Sequence, residues 1–174
     1  MNPEEIVAPR LQFRKLSLKD APVWEEFLSS YDAVKLFPPF GEVKSYALEW
    51  MEKQKLRYER DGFGLFALIE KNSRQFVGQC GLMIQEVEEV KELEVGYHLL
   101  PRFWKHGYAT EAAVACRNFV FENNLRDSII SIIDVRNISS MKVAERNGMR
   151  REKQIQWRDL NVFIYRIHKT EWHK

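Results

Sequence analysis

The chain has 174 residues, 27 Lys and Arg against 25 Asp and Glu, a formal net charge of +2, and 45% hydrophobic residues. That length fits one domain with a sizeable core, and so small a charge argues against nucleic acid or an anionic membrane as the main partner. Cys80 and Cys116 make no disulfide framework and no metal-type Cys/His spacing, so no metal is expected. Acids in MNPEEIVAPR argue against a secretory leader, and no stretch approaches the ~18 apolar residues of a membrane span. The expectation is one soluble, cytoplasmic domain over residues 1–174.

The first ten residues read as a frayed lead-in. LQFRK (11–15) alternates apolar and polar residues, as a half-buried strand does. Ser17 and Asp20 stand where a helix N-cap and its N3 partner belong, and Trp24, Phe27 and Leu28 then share one helical face. LFPPFGE (36–42) breaks the chain at its two prolines. From Glu42 to about Arg60, the spacing of Val43, Tyr46, Ala47, Trp50 and Met51 predicts an amphipathic helix that stops at Asp61-Gly62.

Three strands follow, over 63–70, 76–85 and 93–100, with turns at NSRQ and EVEEVKE. A helix from Tyr108 places Ala109, Ala112, Ala113, Cys116 and Val120 on one narrow face, suited to lying close on a sheet. SIISIIDV (128–135) reads as a buried strand. Ile138 to Asn147 is a short helix ended by Asn147-Gly148, and two strands near 149–157 and 160–168 meet at Arg158-Asp159. The order β-α-α-β-β-β-α-β-α-β-β predicts an α/β fold with a mixed, mostly antiparallel central sheet flanked by helices.

The junction from Leu99 through Trp104-Lys-His-Gly-Tyr-Ala-Thr-Glu-Ala112 carries a strand through a turn into a helix. Such a junction suits an anion, because the first helical N–H groups lack partners and the helix dipole favours negative charge. Gly107 permits close approach, Thr110 offers a hydroxyl, and Lys105 and His106 add positive character. On spacing alone an ordinary turn stays open as the other reading. Neither G-x-G-x-x-G nor G-x-x-x-x-G-K-[ST] occurs, which excludes those two nucleotide motifs.

The stretch Trp104–Ala112 resembles the pyrophosphate turn of the GNAT acetyltransferases, and is closest to their ribosomal-protein N-acetyltransferase (RimJ/RimL-like) branch. Asn137-Ile-Ser-Ser140 followed by Val143-Ala-Glu-Arg-Asn-Gly-Met149 is similar to the family's second motif, and Glu94-Val-Gly-Tyr97 to its central strand. The resemblance spans about residues 10–168. It implies that the strand ending at Leu99-Leu100 splays from strand 128–135 at a bulge, with the pantetheine arm of acetyl-CoA in the gap. Lys105, His106, Gly107, Tyr108, Ala109 and Thr110 then hold the pyrophosphate, and Asn137 bonds the pantetheine with Ser140 near the sulfur. Two positions depart from the family pattern. Lys105 replaces a usual Gly, and Ala144 stands where many members carry the tyrosine that protonates the leaving thiolate. Ser140, directly or through water, is the candidate substitute.

Transfer to an amine needs the amine's proton removed, since typical amines have pKa values of ~8–10, and a donor for the carbonyl oxygen, expected from the backbone around His98–Leu100. Glu94 and His98 are the candidate bases. They share a face of an undistorted strand, and each also reads as structural: Glu94 as a surface carboxylate, His98 as a satisfied strand histidine. Residues 84–94 hold five glutamates against one lysine, and residues 137–174 nine Lys and Arg against four Asp and Glu. The acidic stretch is either a solvated hairpin tip or an acceptor entrance attracting cationic amines. Trp24, Trp50 and Trp157 read as core or groove walls, and both cysteines as inert. The expected function is acetyl-CoA-dependent N-acetylation of a primary amine, either a protein N-terminus or a small molecule, by a monomer or homodimer. A catalytically silent acyl-CoA-binding module is the alternative, and an RNA-associated role rests on the basic C-terminal stretch alone.

Overall fold

The computed structural model describes residues 1–173; Lys174, counted above in the basic stretch, lies outside the described residues. Strands β1 (Leu11–Lys15), β2 (Gly64–Glu70), β3 (Phe76–Val87), β4 (Val90–Leu99), β5 (Ser128–Asp134), β6 (Arg150–Trp157) and β7 (Leu160–His168) form one sheet in the order β1-β2-β3-β4-β5-β7-β6. Helices α1 (Ala21–Leu28), α2 (Tyr31–Val34) and α3 (Val43–Asp61) precede β2; α4 (Tyr108–Glu122) joins β4 to β5, and α5 (Ile138–Arg146) joins β5 to β6. Every strand pair is antiparallel except β4–β5. The mixed, mostly antiparallel architecture expected from the element order is the one observed.

Alternation along the strands divides the core between two layers. Leu65, Ala67, Ile69 and Met83 pack with Trp24, Phe27, Leu28, Ala47 and Met51 of α1 and α3. On the opposite face, Phe66, Leu68, Cys80, Leu82 and Val95 pack with Ala112, Ala113, Cys116 and Val120 of α4. The small side chains of α4 bring its first turn close to the end of β4. A third cluster, Val87, Ile130, Val162 and Ile164, seals the sheet below β6–β7. Each fully buried large aliphatic or aromatic side chain contributes about 1.5–3 kcal/mol, which outweighs the few tenths that separate ordinary helix propensities.

Local signals explain the element ends. The Asp20 carboxylate accepts the Ser17 N–H at 2.9 Å ahead of α1. Glu42 caps α3 by accepting the Lys44 and Ser45 amides at 3.0 and 2.7 Å, and Gly62 ends that helix at φ 71°. Three expectations need correction. The N-terminal lead-in is packed, with Ile6 and Ala8 only 3% and 1% exposed. A one-turn helix, α2, was not signalled. The second turn is tighter than EVEEVKE: β3 and β4 run on to Val87 and Val90, leaving Glu88 and Glu89 at φ 48° and 68° as a two-residue turn of the primed kind that suits twisted hairpins.

Candidate active site

Strands β4 and β5 touch at one register pair, Glu94 with Ile130, and then part. Two side chains close the apex of the gap: Ser131 Oγ donates to the Val95 carbonyl at 2.9 Å, and Glu94 Oε1 accepts the Ile132 amide at 3.4 Å. Successive residues of a strand aim their peptide groups at opposite edges. Val95 faces β5, whereas the Leu100 N–H donates to the Val77 carbonyl of β3 at 3.0 Å. Tyr97 and Leu99 therefore direct their amides into the gap, and His98 and Leu100 direct theirs away. This narrows the oxygen-stabilising donor expected around His98–Leu100 to Leu99, and it places the wholly buried Leu100 under α1 and α3. No bulge interrupts β4 against β3, so Glu94 and His98 do share a face. The gap opens because β5 diverges, not because β4 kinks.

At the end of β4, Trp104 Nε1 donates to the Leu99 carbonyl at 2.7 Å and pins the chain as it turns. Lys105 and Gly107 adopt left-handed conformations, φ 65° and 82°, that aim the chain into α4. No side chain caps α4; its first internal bond runs from the Glu111 N–H to the Gly107 carbonyl at 3.0 Å. The amides of Tyr108, Ala109 and Thr110 thus lack helical partners. A Cβ placed at Gly107 would meet only the Arg10 guanidinium, at 3.5 Å, so the turn is open to a large group. Lys105, His106 and Gly107 are exposed, and Tyr108, Ala109 and Thr110 partly so. His106 is oriented by its Nδ1 contact with the Trp104 carbonyl at 2.8 Å. The donors, the positive helix end and the open surface fit a pyrophosphate.

Arg10 was missed in the sequence because its partners lie about a hundred residues away. Its backbone N–H and Nε donate to Glu111 at 2.6 and 2.7 Å, and NH1 donates to the His106 carbonyl at 3.2 Å. Its guanidinium stacks 4.5 Å from the Tyr108 ring centroid. Arg10 braces the turn and leaves NH2 above it.

Across the sheet, His98 lies in an aromatic box. The rings of Phe37, Trp50, Phe27 and Trp24 meet its imidazole edge-on at centroid distances of 5.3, 5.6, 5.8 and 6.3 Å. Burial, reinforced by the positive charge of Arg57, pushes its pKa down to about 4, so the ring is neutral near pH 7. Among the described residues, neither ring nitrogen makes a hydrogen bond. Beside it, Gln79 accepts the Trp50 indole N–H at 2.8 Å, while the Gln79 Nε2 and Trp24 Nε1 donors are buried without partners. Glu94 is only 7% exposed, not a surface carboxylate. Gln85 Nε2 donates to it at 2.7 Å, and burial pushes its pKa up.

The second motif forms the first turn of α5. Asn137 Oδ1 accepts the Ser140 N–H at 3.1 Å, which leaves the Asn137 amide nitrogen free for another acceptor. Ser140 is partly exposed, and its carbonyl accepts the Tyr97 hydroxyl at 2.9 Å. Ala144, one turn on, is buried. Tyr97 thus brings a phenol to the turn where the helix itself has none, with burial raising its pKa.

The acidic and basic stretches meet each other. Lys153 pairs with Glu88 at 2.5 Å, Arg166 with Glu92 at 2.7 Å, and the Trp157 indole donates to the Glu86 carbonyl at 2.9 Å. The two stretches thus form one contact and do not lie on opposite sides of the molecule. Cys80 and Cys116 are buried with their sulfurs 3.8 Å apart, and burial raises the Cys80 thiol. Among the described residues, no group of His, Cys, Asp and Glu is arranged to hold a metal, and no helix is long and apolar enough to cross a membrane.

The acetyltransferase (GNAT) domain family matches residues 10–150. The chain is similar to YkkB of Bacillus subtilis, 28% identical over 92% of this chain and 94% of that one. Its fold is similar to a GNAT-family acetyltransferase of Bacillus anthracis, with a TM-score of 0.78, 26% identity and coverage of 94% and 98%. RimL, a ribosomal L7/L12 α-N-protein acetyltransferase solved with coenzyme A, shares the fold with a TM-score of 0.76 at 16% identity over 93% and 96% of the two chains. With the family matched over most of its length, this chain belongs to the GNAT acetyltransferases.

Proposed function

We propose that this acetyltransferase moves the acetyl group of acetyl-CoA onto a primary amine by direct attack, without a metal or covalent enzyme intermediate. The observation that carries the reading is the parting of β4 and β5 beside the uncapped first turn of α4, with the Leu99 amide facing the gap. The residues Lys105, His106, Gly107, Tyr108, Ala109 and Thr110 hold the pyrophosphate, and Asn137 bonds the pantetheine arm. RimL, with coenzyme A bound, supports the cofactor assignment through its shared fold.

Acetyl-CoA supplies an activated thioester carbonyl. The amine nitrogen bonds to that carbon, the carbon–sulfur bond breaks, and the thiolate takes up a proton as CoA. His98, with both ring nitrogens free of protein hydrogen bonds, takes the amine's proton as the C–N bond forms and acidifies the nitrogen. The burial that lowers its pKa also weakens it toward the free ammonium. The Leu99 N–H stabilises charge on the carbonyl oxygen, and the Ser140 hydroxyl, directly or through water, serves the thiolate. Glu94 is a positioning residue, because both its oxygens are already bonded where the strands part. A cytoplasmic enzyme of the RimJ/RimL-like branch, monomeric or homodimeric, acting on a protein N-terminus or a small amine, accords with the Trp104–Ala112 motif.

Free thiol release from acetyl-CoA with an amine panel tests the reading. Amine-dependent release, suppressed in Asn137→Ala and Ser140→Ala, is expected. CoA binding without release from any amine would instead identify a silent acyl-CoA-binding module.

A further inference from the structure

The face of the sheet that carries His98 continues past Gly96 to Glu94, a floor that runs beside α3. On α3, Trp50, Lys53 and Arg57 recur at i, i+3 and i+7, so one stripe of the helix runs beside that floor. Trp50 marks the aromatic end at His98. Arg57 marks the other end, where NH1 donates to Gln54 Oε1 at 3.1 Å and contacts Met83 Sδ at 3.2 Å. Met83 is the cross-strand partner of Glu94. From the opposite side, the β6–β7 turn delivers Arg158, whose NH2 donates to Gln85 Oε1 at 3.3 Å. Met83 and Gln85 are two residues apart on one strand face, about 7 Å, so the two guanidinium groups converge on the same patch of floor.

Among the described residues, no carboxylate is paired directly with these cations: Lys53, Arg57 and Arg158 make no ion pair, whereas Arg10, Arg14, Arg60, Arg136 and Arg166 each hold a carboxylate at 2.6–2.7 Å. The carboxylates facing Arg57 are Asp61 and Glu94. Asp61 is gripped by Arg60 through two bonds of 2.7 and 2.6 Å. Glu94 is buried and bonded to Gln85 and Ile132, in surroundings that disfavour its charge. Lys53 is held below its ordinary pKa by burial and by the nearby Arg57 and Arg158, as expected of cations assembled without a counter-ion. Of the acids in the β3–β4 hairpin, Glu88 and Glu92 are paired with Lys153 and Arg166, and the exposed Glu86 and Glu89 lie on the hairpin rather than on this strip of the sheet.

We infer that the acceptor is an amine that also carries an anionic group, a carboxylate or phosphate, which docks against Lys53, Arg57 and Arg158 while the amine lies toward His98. Forked guanidinium donors match either anion. Seven helical residues separate Trp50 from Arg57, a rise of about 10 Å. That separation favours acceptors whose amine and anion stand several bonds apart, and a polyamine is repelled. The inference rests on the acetyl-transfer reading for its geometry, but the anion site is measurable without turnover.

The test uses matched acceptors: 6-aminohexanoate against hexylamine, and the C-terminally amidated tripeptide Ser-Glu-Ala against amidated Ser-Gln-Ala, with spermidine as the cationic extreme. The wild type should favour the anionic member of a pair by about tenfold or more in kcat/KM, the effect of a charge-assisted contact. Arg158→Gln should remove that preference while leaving the uncharged or cationic partner within about twofold; Arg57→Gln should remove it too, with a change in both members because its charge also acts on His98. Arg158 is exposed on a turn, so its variant keeps the test readable if Arg57→Gln fails to fold. Whichever pair shows the effect separates a free amino acid from a peptide N-terminus. A wild type preferring spermidine or hexylamine, or an Arg158→Gln variant that lowers both members alike, would overturn the inference. Calorimetric titration of 6-aminohexanoate and amidated Ser-Glu-Ala into the CoA-loaded protein separates the two claims. Binding that Arg158→Gln abolishes, without thiol release, keeps the anion site and refutes acetyl transfer. Thiol release without anion preference does the reverse.

Discussion

The Glu94 carboxylate accepts the Ile132 amide across the point at which β4 and β5 cease to pair. One side chain thus replaces the backbone bond that the diverging strand gives up, and Gln85 holds the second oxygen at 2.7 Å. Glu94→Ala leaves the part-buried Ile132 amide and the buried Gln85 Nε2 donor unpaired, and should cost about 1–3 kcal/mol per orphaned group in urea unfolding. Glu94→Gln keeps an acceptor for Ile132 and should cost less. Burial raises the Glu94 pKa, so the native state binds more protons than the unfolded chain above the ordinary carboxylate range. Its contribution to stability therefore falls as pH rises from about 4.5, and Glu94→Gln should flatten that slope.

His98 has the opposite sign. With its pKa at about 4 in the fold against about 6.5 in the unfolded chain, the unfolded state binds more protons between those values. Stability should fall as pH drops from about 6.5 to about 4, and His98→Phe should remove that acid sensitivity. If His98 accepts the amine's proton, His98→Gln should lower kcat by about 10²–10⁴-fold, with the acetyl-CoA dissociation constant unchanged. A loss confined to acceptor KM would assign the ring to the aromatic wall alone.

Gly107 separates cofactor binding from folding. Its left-handed φ of 82° makes Gly107→Ala cost about 1–2 kcal/mol through backbone strain, since its Cβ meets only a flexible guanidinium. Gly107→Val adds bulk at the turn proposed to hold the pyrophosphate, and calorimetry should show CoA affinity reduced by about tenfold or more beyond the effect of alanine.

Arg10 calls for a readout that a general loss of stability does not move. Arg10→Ala should weaken acetyl-CoA binding in a salt-dependent way. Turnover of S-acetylpantetheine, which lacks the pyrophosphate, should be nearly unaffected. Equal losses with both thioesters would confine Arg10 to bracing Glu111 and His106.

The elements were legible wherever a period ran unbroken, as in the alanine stripe of α4 or the alternation of β1. The β3–β4 turn was not, because Glu88-Glu89 holds two left-handed conformations without the Asn or Gly that usually announces them. The turn at Gly107 was visible because its chemistry is local; Asn137 stood out through the family resemblance, and its role as the cap of α5 emerges from the structure. The His98 box joins residues from α1, the loop after α2, α3 and β4, and the Lys53–Arg57–Arg158 cluster joins α3 to a hairpin about a hundred residues away. Such sites are products of packing, and no period or spacing encodes them. The ion pairs of the acidic stretch were hidden for the same reason: sequence displays a charge without its tertiary partner.

The grip of Arg10 on Glu111 and His106 makes the N-terminal segment a mechanical part of the cofactor turn. Energy coupling is reciprocal, so whatever steadies that turn also steadies Ile6 and Ala8 in their seats. Acetyl-CoA should therefore shield residues 1–10 from proteolysis, and clipping that segment should cost the enzyme its hold on a ligand that lies past residue 100 in the chain.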